Sequence, residues 1–236
     1  MNHNPYSEHW FRTFCETVPA DWTLRDVEGL RVLLPLPQFL DVLDIGCGIG
    51  RVAGPLALHG YNVTGIDSSG EAIAIARRSQ PDVNFIELDQ ADLDELPPAV
   101  FDCCLVLWHS LGYSSDKENG QVLKAIRRRL RIGGLAIFDL FNPEFAKNHA
   151  GKAKSRGLDV VTAETVIRGD RLLSVIDYLD GHQDRIEFQI YDTTTFMQLC
   201  HASGFKVIEI LTEWKSVDEV GPEHVRYQVV CEAVEA

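Results

Sequence analysis

The stretch Val42-Leu43-Asp44-Ile45-Gly46-Cys47-Gly48-Ile49-Gly50-Arg51 decides the fold of this chain. An apolar run ends there in a loop with three glycines, and Asp67 closes the next apolar stretch, Tyr61 to Ile66. An apolar run, a glycine loop, a helix and a strand ending in an acid make one βαβ unit. Such a unit builds a crevice at the carboxyl end of its first strand, shaped for a nucleoside. The glycines let backbone approach a ligand closely, and the acid faces a ribose diol.

Spacing separates the two ligand classes that use this architecture. A dinucleotide fingerprint reads G-x-G-x-x-G, its third glycine allowing close helix–strand packing beside a pyrophosphate. Counted from Gly46, that third position is Arg51. The loop is instead G-x-G-x-G preceded by Asp44.

The rest of the chain bounds the answer. Its 236 residues suit one α/β domain with a modest insertion. The 22 Lys and Arg against 35 Asp and Glu give a net charge of −13, which disfavours nucleic acid as a partner. The dense basic run Arg127, Arg128, Arg129 and Arg131 reads as favourable charge at a helix C-terminus. None of the six cysteines forms a C-x-x-C pair, so neither a zinc site nor a redox motif is suggested. Cys103 and Cys104 fall in an apolar strand, where cysteine acts as a small hydrophobe. The N-terminus lacks the regions of a signal peptide, and no stretch approaches the roughly 20 apolar residues of a membrane span. A cytoplasmic protein that binds neither membrane nor nucleic acid is expected, its oligomeric state open.

Along the chain, Thr23 is placed to cap a helix running to about Leu34, ended by Pro35 and Pro37. Strands are expected at 41–45, 62–66, 83–88, 101–108 and 135–140. Ser68 with Glu71, and Ser115 with Glu118, match capping boxes that open the helices between them. Gly133-Gly134 reads as the turn into the fifth strand. This strict β/α alternation implies a parallel, doubly wound sheet. It breaks between 142 and 191, where short strands at 158–168, 171–179 and 184–191 imply an antiparallel insertion. A helix from Asp192 to Ser203 follows, then strands near 205–211 and 225–232.

From about residue 25 onward the chain resembles the class I S-adenosylmethionine-dependent methyltransferases. The likeness rests on the glycine stretch with Gly65-Ile66-Asp67, on Phe101-Asp102, and on the Leu130-x-x-Gly133-Gly134 turn. Tyr191-Asp192-Thr193, leading a helix closed by Gly204-Phe205, is similar to members that act on small molecules. The resemblance implies a seven-stranded, mostly parallel sheet ordered 3-2-1-4-5-7-6, the last strand antiparallel, with a small antiparallel insertion after strand 5. It implies S-adenosylmethionine as cofactor and a small-molecule oxygen or nitrogen as methyl acceptor. Gly46, Cys47, Gly48 and Gly50 would lie against the methionine and ribose portion, with Asp44 attracting the ammonium. Asp67, beside Ser68, would take the ribose hydroxyls. Asp89, with Gln90 beside it, would meet the adenine, Asp92 being the alternative by spacing.

An oxygen or ammonium nucleophile must lose a proton. His109, just past strand 4, is either a general base or a backbone-bonded histidine that shapes the pocket. Asn142 and Tyr191 are candidates for the acceptor site. Residues 1–37, carrying Tyr6 and Trp10, are expected to form a helical lid, and 142–191 part of the acceptor pocket. No metal site is expected. A nucleotide-dependent oxidoreductase and a binding module that has lost transfer are the competing readings.

Overall fold

The computed structural model describes residues 6–11, 13, 18–154 and 160–235. Strand β1, Asp41–Ile45, lies parallel between β2, Asn62–Asp67, and β4, Phe101–Val106. With β3, Asn84–Glu87, β5, Leu130–Phe141, β10, Phe205–Thr212, β11, Lys215–Ser216, and β12, Arg226–Ala233, they form one sheet. Its order is β11-β10-β12-β5-β4-β1-β2-β3, and β12 runs antiparallel to both of its neighbours. This is the expected 3-2-1-4-5-7-6 arrangement with a two-residue strand added at the edge. Ile45 pairs with both Ile66 and Val106, so β1, β2 and β4 finish together. The loops that follow them therefore meet on one edge of the sheet.

Alternation along the strands sends successive side chains into two cores. Leu43, Cys104 and Phe138 pack with α5, Asp116–Arg129, and α7, Thr193–Ala202. Val42, Cys103, Leu105 and Ile137 pack on the other face. There they meet α2, Ala20–Leu33, which follows the short α1, Glu8–Trp10, together with α3, Ala53–Leu58, and α4, Gly70–Ser79. A sheet covered on both faces explains the nearly continuous apolar run of β4.

Several local expectations shift. Helix α2 starts at Ala20 behind Pro19, so Thr23 is inside it and its hydroxyl accepts from Arg51 at 3.0 Å instead of capping. Helix α4 is capped by Ser69, whose hydroxyl accepts from the Ala72 N–H, and not by Ser68. The cause is Asp67, which stays in β2 and takes the Ser69 N–H at 2.8 Å. The Ser115–Glu118 capping box is complete. Gly133-Gly134 lies within β5 as an irregularity in its pairing with β4, not as a turn before it. Each arginine of the basic run is engaged. Arg127 donates to Gly204 and Val234 carbonyls, Arg128 and Arg129 pair with Asp94, and Arg131 pairs with Asp41 and Asp102.

The insertion is an antiparallel sheet of β6, Gly151–Lys154, β7, Val160–Arg168, β8, Arg171–Tyr178, and β9, Gln183–Gln189. Residues 158 and 159, expected to begin its first strand, lie outside the described residues, as do 1–5, 12 and 14–17 of the N-terminal segment. Strand β6 and helix α6, Pro143–Asn148, were not foreseen. Ile176, Ile186 and Phe188 form the insertion's own core, with Tyr6, Trp10 and Tyr113 packed against it. Among the described residues no helix is long and apolar enough to cross a membrane.

Candidate functional site

The loops after β1, β2 and β4 enclose a cavity of about 880 Å³, a size suited to small molecules and cofactors. Asp44, Gly46, Cys47, Gly48 and Arg51 line it from the first loop, and Asp67 with Ser68 from the second. Leu88, Asp89 and Gln90 form one end. Tyr6, Trp10, Phe11, Trp22, Trp108 and Tyr113 wall the rest with aromatic rings.

Asp67 joins two of these loops. One carboxylate oxygen accepts the Gly48 N–H at 2.9 Å and the other the Ser69 N–H at 2.8 Å. Burial raises its carboxyl above the usual range, and those two hydrogen bonds act against the rise. Asp44 is 4% exposed and has no hydrogen-bond partner among the described residues. Burial pushes its carboxyl up to about 7, Arg51 opposing the rise and Asp67 adding to it. An unpartnered buried carboxylate on a cavity wall is costly in the free protein. A cation in the cavity removes that cost.

The three glycines divide their work. Gly48, at φ +55°, has space where a Cβ would stand, the nearest atom being Phe11 Cε1 at 3.9 Å. Gly46 makes room for Ser110, whose Oγ would lie 2.4 Å from such a Cβ. Gly50 does not line the cavity. A Cβ there would meet Gln80 Oε1 at 2.6 Å and Phe85 Cζ at 2.8 Å, so this glycine serves packing, contrary to the ligand contact expected of it.

Asp89 lines the cavity and caps the 3₁₀ helix Gln90–Glu95, accepting the Ala91 N–H at 2.9 Å. Gln90 Oε1 is buried without a partner. Asp92, the alternative to Asp89, is not on the wall.

Besides Gly50, three expected site residues do not reach the cavity. His109 is half-buried behind it, stacked on Phe188 at 5.3 Å, with Nδ1 accepting the Phe141 N–H at 3.1 Å. Burial, with Arg226 adding, lowers its pKa to about 3. Of its two open readings, this geometry fits the histidine that shapes the pocket. Asn142 caps α6 and donates to the Gly221 and His224 carbonyls. Tyr191 is in the interior, its hydroxyl bonded to Gln189 and Asn119. Both are bound up in the frame of the fold, and none of the insertion's described residues lines the cavity.

Sequence reading missed Trp108 and Tyr113. Trp108 and His109 both take left-handed backbone, at φ +51° and +66°. That turn sets the Trp108 indole into the wall, where the Arg51 and Arg226 guanidinium groups lie over its ring at 4.4 and 4.1 Å. Tyr113 donates to the His109 carbonyl, and its hydroxyl meets that of Tyr6. Burial holds the Tyr113 phenol well above its usual pKa. The adjacent Gly112, at φ +103° and packed on the Gln189 carbonyl, is the signal of a tight turn that could have marked the segment.

Comparison with known proteins agrees with this geometry. The methyltransferase-domain family profile matches residues 42–134, which hold the whole glycine loop and the strands around it. Residues 42–134 match a methyltransferase domain. The cofactor of that family is S-adenosylmethionine. A ubiquinone biosynthesis O-methyltransferase of Paracidovorax citrulli is 31% identical over 157 residues, 61% of this chain and 60% of its own length. An S-adenosyl-L-methionine-dependent Diels-Alderase of Talaromyces variabilis is 36% identical over 124 residues, 49% of this chain and 41% of its own. The matched part of the chain thus spans less than two thirds of either relative. The crystal structure of an S-adenosylmethionine-dependent methyltransferase from Clostridium acetobutylicum superimposes with a TM-score of 0.79 at 18% identity, covering 96% of both chains. The methyltransferase fold therefore extends beyond the matched domain to nearly the whole chain.

The residues present fit that cofactor. The space at Gly48, the partnerless Asp44 and the orphaned acceptor on Gln90 are what a cationic nucleoside would complete. Among the described residues no group of three or more His, Cys, Asp or Glu is arranged to hold a metal ion.

Proposed function

We propose that this chain uses S-adenosylmethionine to methylate an oxygen or nitrogen of a small molecule. The observation that carries the reading is Asp67 fastened to Gly48 beside the partnerless Asp44, inside a cavity with room to spare for an acceptor. When bound, S-adenosylmethionine supplies a methyl group on a sulfonium, which is already an activated leaving group. Asp67 takes the ribose hydroxyls with the lone pairs left by its two backbone bonds. Asp44 takes the ammonium, and Asp89 with Gln90 reads the base.

The chain's remaining task is to orient the acceptor and exclude water, the terms that dominate when the leaving group is good. Tyr6, Trp10 and Phe11, brought over the cavity by the N-terminal segment, act as the lid. Tyr113 stays protonated and spends its proton on the His109 carbonyl, so its oxygen accepts a hydrogen bond from the acceptor and orients it. No described side chain on this aromatic wall is poised as a strong base. The acceptor therefore arrives as a free amine or as a hydroxyl of low pKa. Its proton leaves to solvent. The net charge of −13 and the fully engaged arginines argue against a nucleic-acid substrate.

The same lack of a base favours one second reading, a protein that binds S-adenosylmethionine without transferring its methyl group. Transfer from methyl-labelled S-adenosylmethionine to a panel of phenols, catechols and amino sugars separates the two. Label in an acceptor, lost in Asp67→Ala, supports methyl transfer. Tight cofactor binding with no label in any acceptor supports the second reading.

A further inference from the structure

Two tryptophans take backbone that bulky side chains avoid. Trp108, in the turn after β4, has φ +51°, and Trp214, in the turn between β10 and β11, has φ +64°. Such positions persist where the surrounding structure over-determines them, and they gather at functional sites. Both are tied to one side chain. Asp26 on α2 is 2% exposed. One of its oxygens accepts from Trp108 Nε1 at 2.8 Å and from Arg51 Nη2 at 2.8 Å. The other accepts from Trp214 Nε1 at 2.9 Å.

A second carboxylate closes the circuit. The Trp108 N–H donates to Asp139 at 3.0 Å, and Asp139, on β5 and 1% exposed, also takes Gln228 Nε2 at 2.9 Å. Gln228 in turn accepts the Trp214 N–H at 3.2 Å. Asp26, Trp108, Asp139, Gln228 and Trp214 thus form a ring of hydrogen bonds across five segments of the chain. Removing one member leaves a buried partner unsatisfied, which is costly. Gly29 makes space for the ring, since a Cβ there would stand 2.3 Å from Trp214 Cγ.

Of these five residues only Trp108 lines the cavity. Its indole is held at Nε1, its backbone at the N–H, and the Trp22 ring stands 5.5 Å away. The Arg51 and Arg226 guanidinium groups lie over it at 4.4 and 4.1 Å. An indole fastened in this way cannot swing aside, and a fixed wall sorts ligands by size because overpacking is destabilising. The residues assigned to the cofactor follow β1, β2 and β3. Trp108 follows β4 and belongs to none of those loops.

Resting on the reading of this cavity as the site of S-adenosylmethionine and a small acceptor, we propose that Trp108 determines the size of acceptor the site admits. Asp26 is the positioning residue that holds the indole, and Trp214 holds Asp26 from behind.

Calorimetric titration of the S-adenosylhomocysteine-loaded full chain with phenol and with 2-naphthol tests this. Both probes carry a hydroxyl of low pKa, and they differ by one fused ring. The wild type should prefer phenol. Trp108→Phe, which keeps a ring but shortens the wall, should shift the affinity ratio toward 2-naphthol by about tenfold or more, the scale on which apolar pockets sort size. Trp214→Phe should shift it the same way by about threefold and leave S-adenosylhomocysteine affinity within about twofold, since Trp214 is not on the wall. In the Trp108→Phe background Trp214→Phe should add nothing, the route through Asp26 being already cut. The indole N–H signal of Trp108 should move in Trp214→Phe while that of Trp10 stays, and cooperative thermal melts report that each variant is folded. An unchanged ratio in folded Trp108→Phe overturns the proposal, as does binding of neither probe by any of these proteins. A shift in Trp108→Phe with none in Trp214→Phe overturns the positioning role. A wild type that does not bind S-adenosylhomocysteine removes the cofactor reading itself, and the proposal with it.

Discussion

Asp44 shows how one residue links stability to binding. Its carboxyl rises from 3.8 to about 7 in the folded chain, chiefly through burial. Between those values the folded state holds a proton that the unfolded chain has released, so stability falls as pH climbs from 3.8 to about 7 and then levels off. At 1.36 kcal/mol per pKa unit the penalty is bounded by about 4 kcal/mol. Asp44→Asn should flatten this slope, so that the cofactor-free variant gains stability relative to wild type between pH 4 and pH 8. Denaturant melts at the two pH values check it. A cationic ligand needs the ionised form, so wild-type affinity for S-adenosylhomocysteine should rise between pH 6 and 8, a trend the variant lacks.

His109 carries the opposite sign. With its pKa lowered to about 3, the ring should stay neutral at pH 5, where an exposed histidine is charged. Nitrogen chemical shifts of the imidazole report this directly. Titration near 6.5 would restore it as a candidate base. Sequence placed Asp44, Gly48 and Asp67 correctly on the cavity wall because their roles follow from one short βαβ unit. It could not separate Gly50 from Gly48, since what distinguishes them is Gln80 and Phe85, brought up from the next βαβ unit. His109, Asn142 and Tyr191 misled for a related reason. Their positions at strand ends were right, but direction was decided by long-range partners such as the Phe141 N–H and the Gly221 carbonyl.

At the scale of elements, the strands and helices up to β5 were legible because each carries its own periodicity and punctuation. The Ser115–Glu118 box is an instance where both halves of a local signal survived folding. Strand β11, two residues long, carried no such signal and exists through its pairing with β10. The N-terminal segment is the element whose function depends most on docking. Ser7 donates to Asp184 at 2.7 Å, His9 bonds Asp180 at 2.6 Å, and Tyr6 meets Tyr113. Asp184 also receives the Tyr178 hydroxyl at 2.8 Å, so the segment is tied to the insertion sheet through one buried carboxylate. Asp184→Ala should speed amide exchange in residues 6–11 and increase the dissociation rate of S-adenosylhomocysteine several-fold. Unchanged exchange in that segment would mean that the ring contacts of Tyr6 and Trp10 hold it unaided.

For the whole molecule, the insertion does its work indirectly. None of its described residues lines the cavity, yet its core seats Tyr6, Trp10 and Tyr113, which do. The aromatic wall proposed to receive the acceptor thus comes from the N-terminal segment and the turn after β4, held in place by a sheet from a third part of the chain. Composition can argue against a class of partner, as the net charge does, but no local pattern encodes an assembly of this kind. The cofactor end was readable for the converse reason: it is built within one stretch, from residue 42 to residue 91. The account stands on that stretch holding S-adenosylmethionine and not a dinucleotide. Calorimetric titration of the wild type and Asp67→Ala with S-adenosylhomocysteine and NAD tests it most directly. Binding of S-adenosylhomocysteine near micromolar, severely weakened by Asp67→Ala, with no heat from NAD, is the expected result. NAD binding in place of S-adenosylhomocysteine would contradict the account and return Gly46 to Gly50 to a dinucleotide.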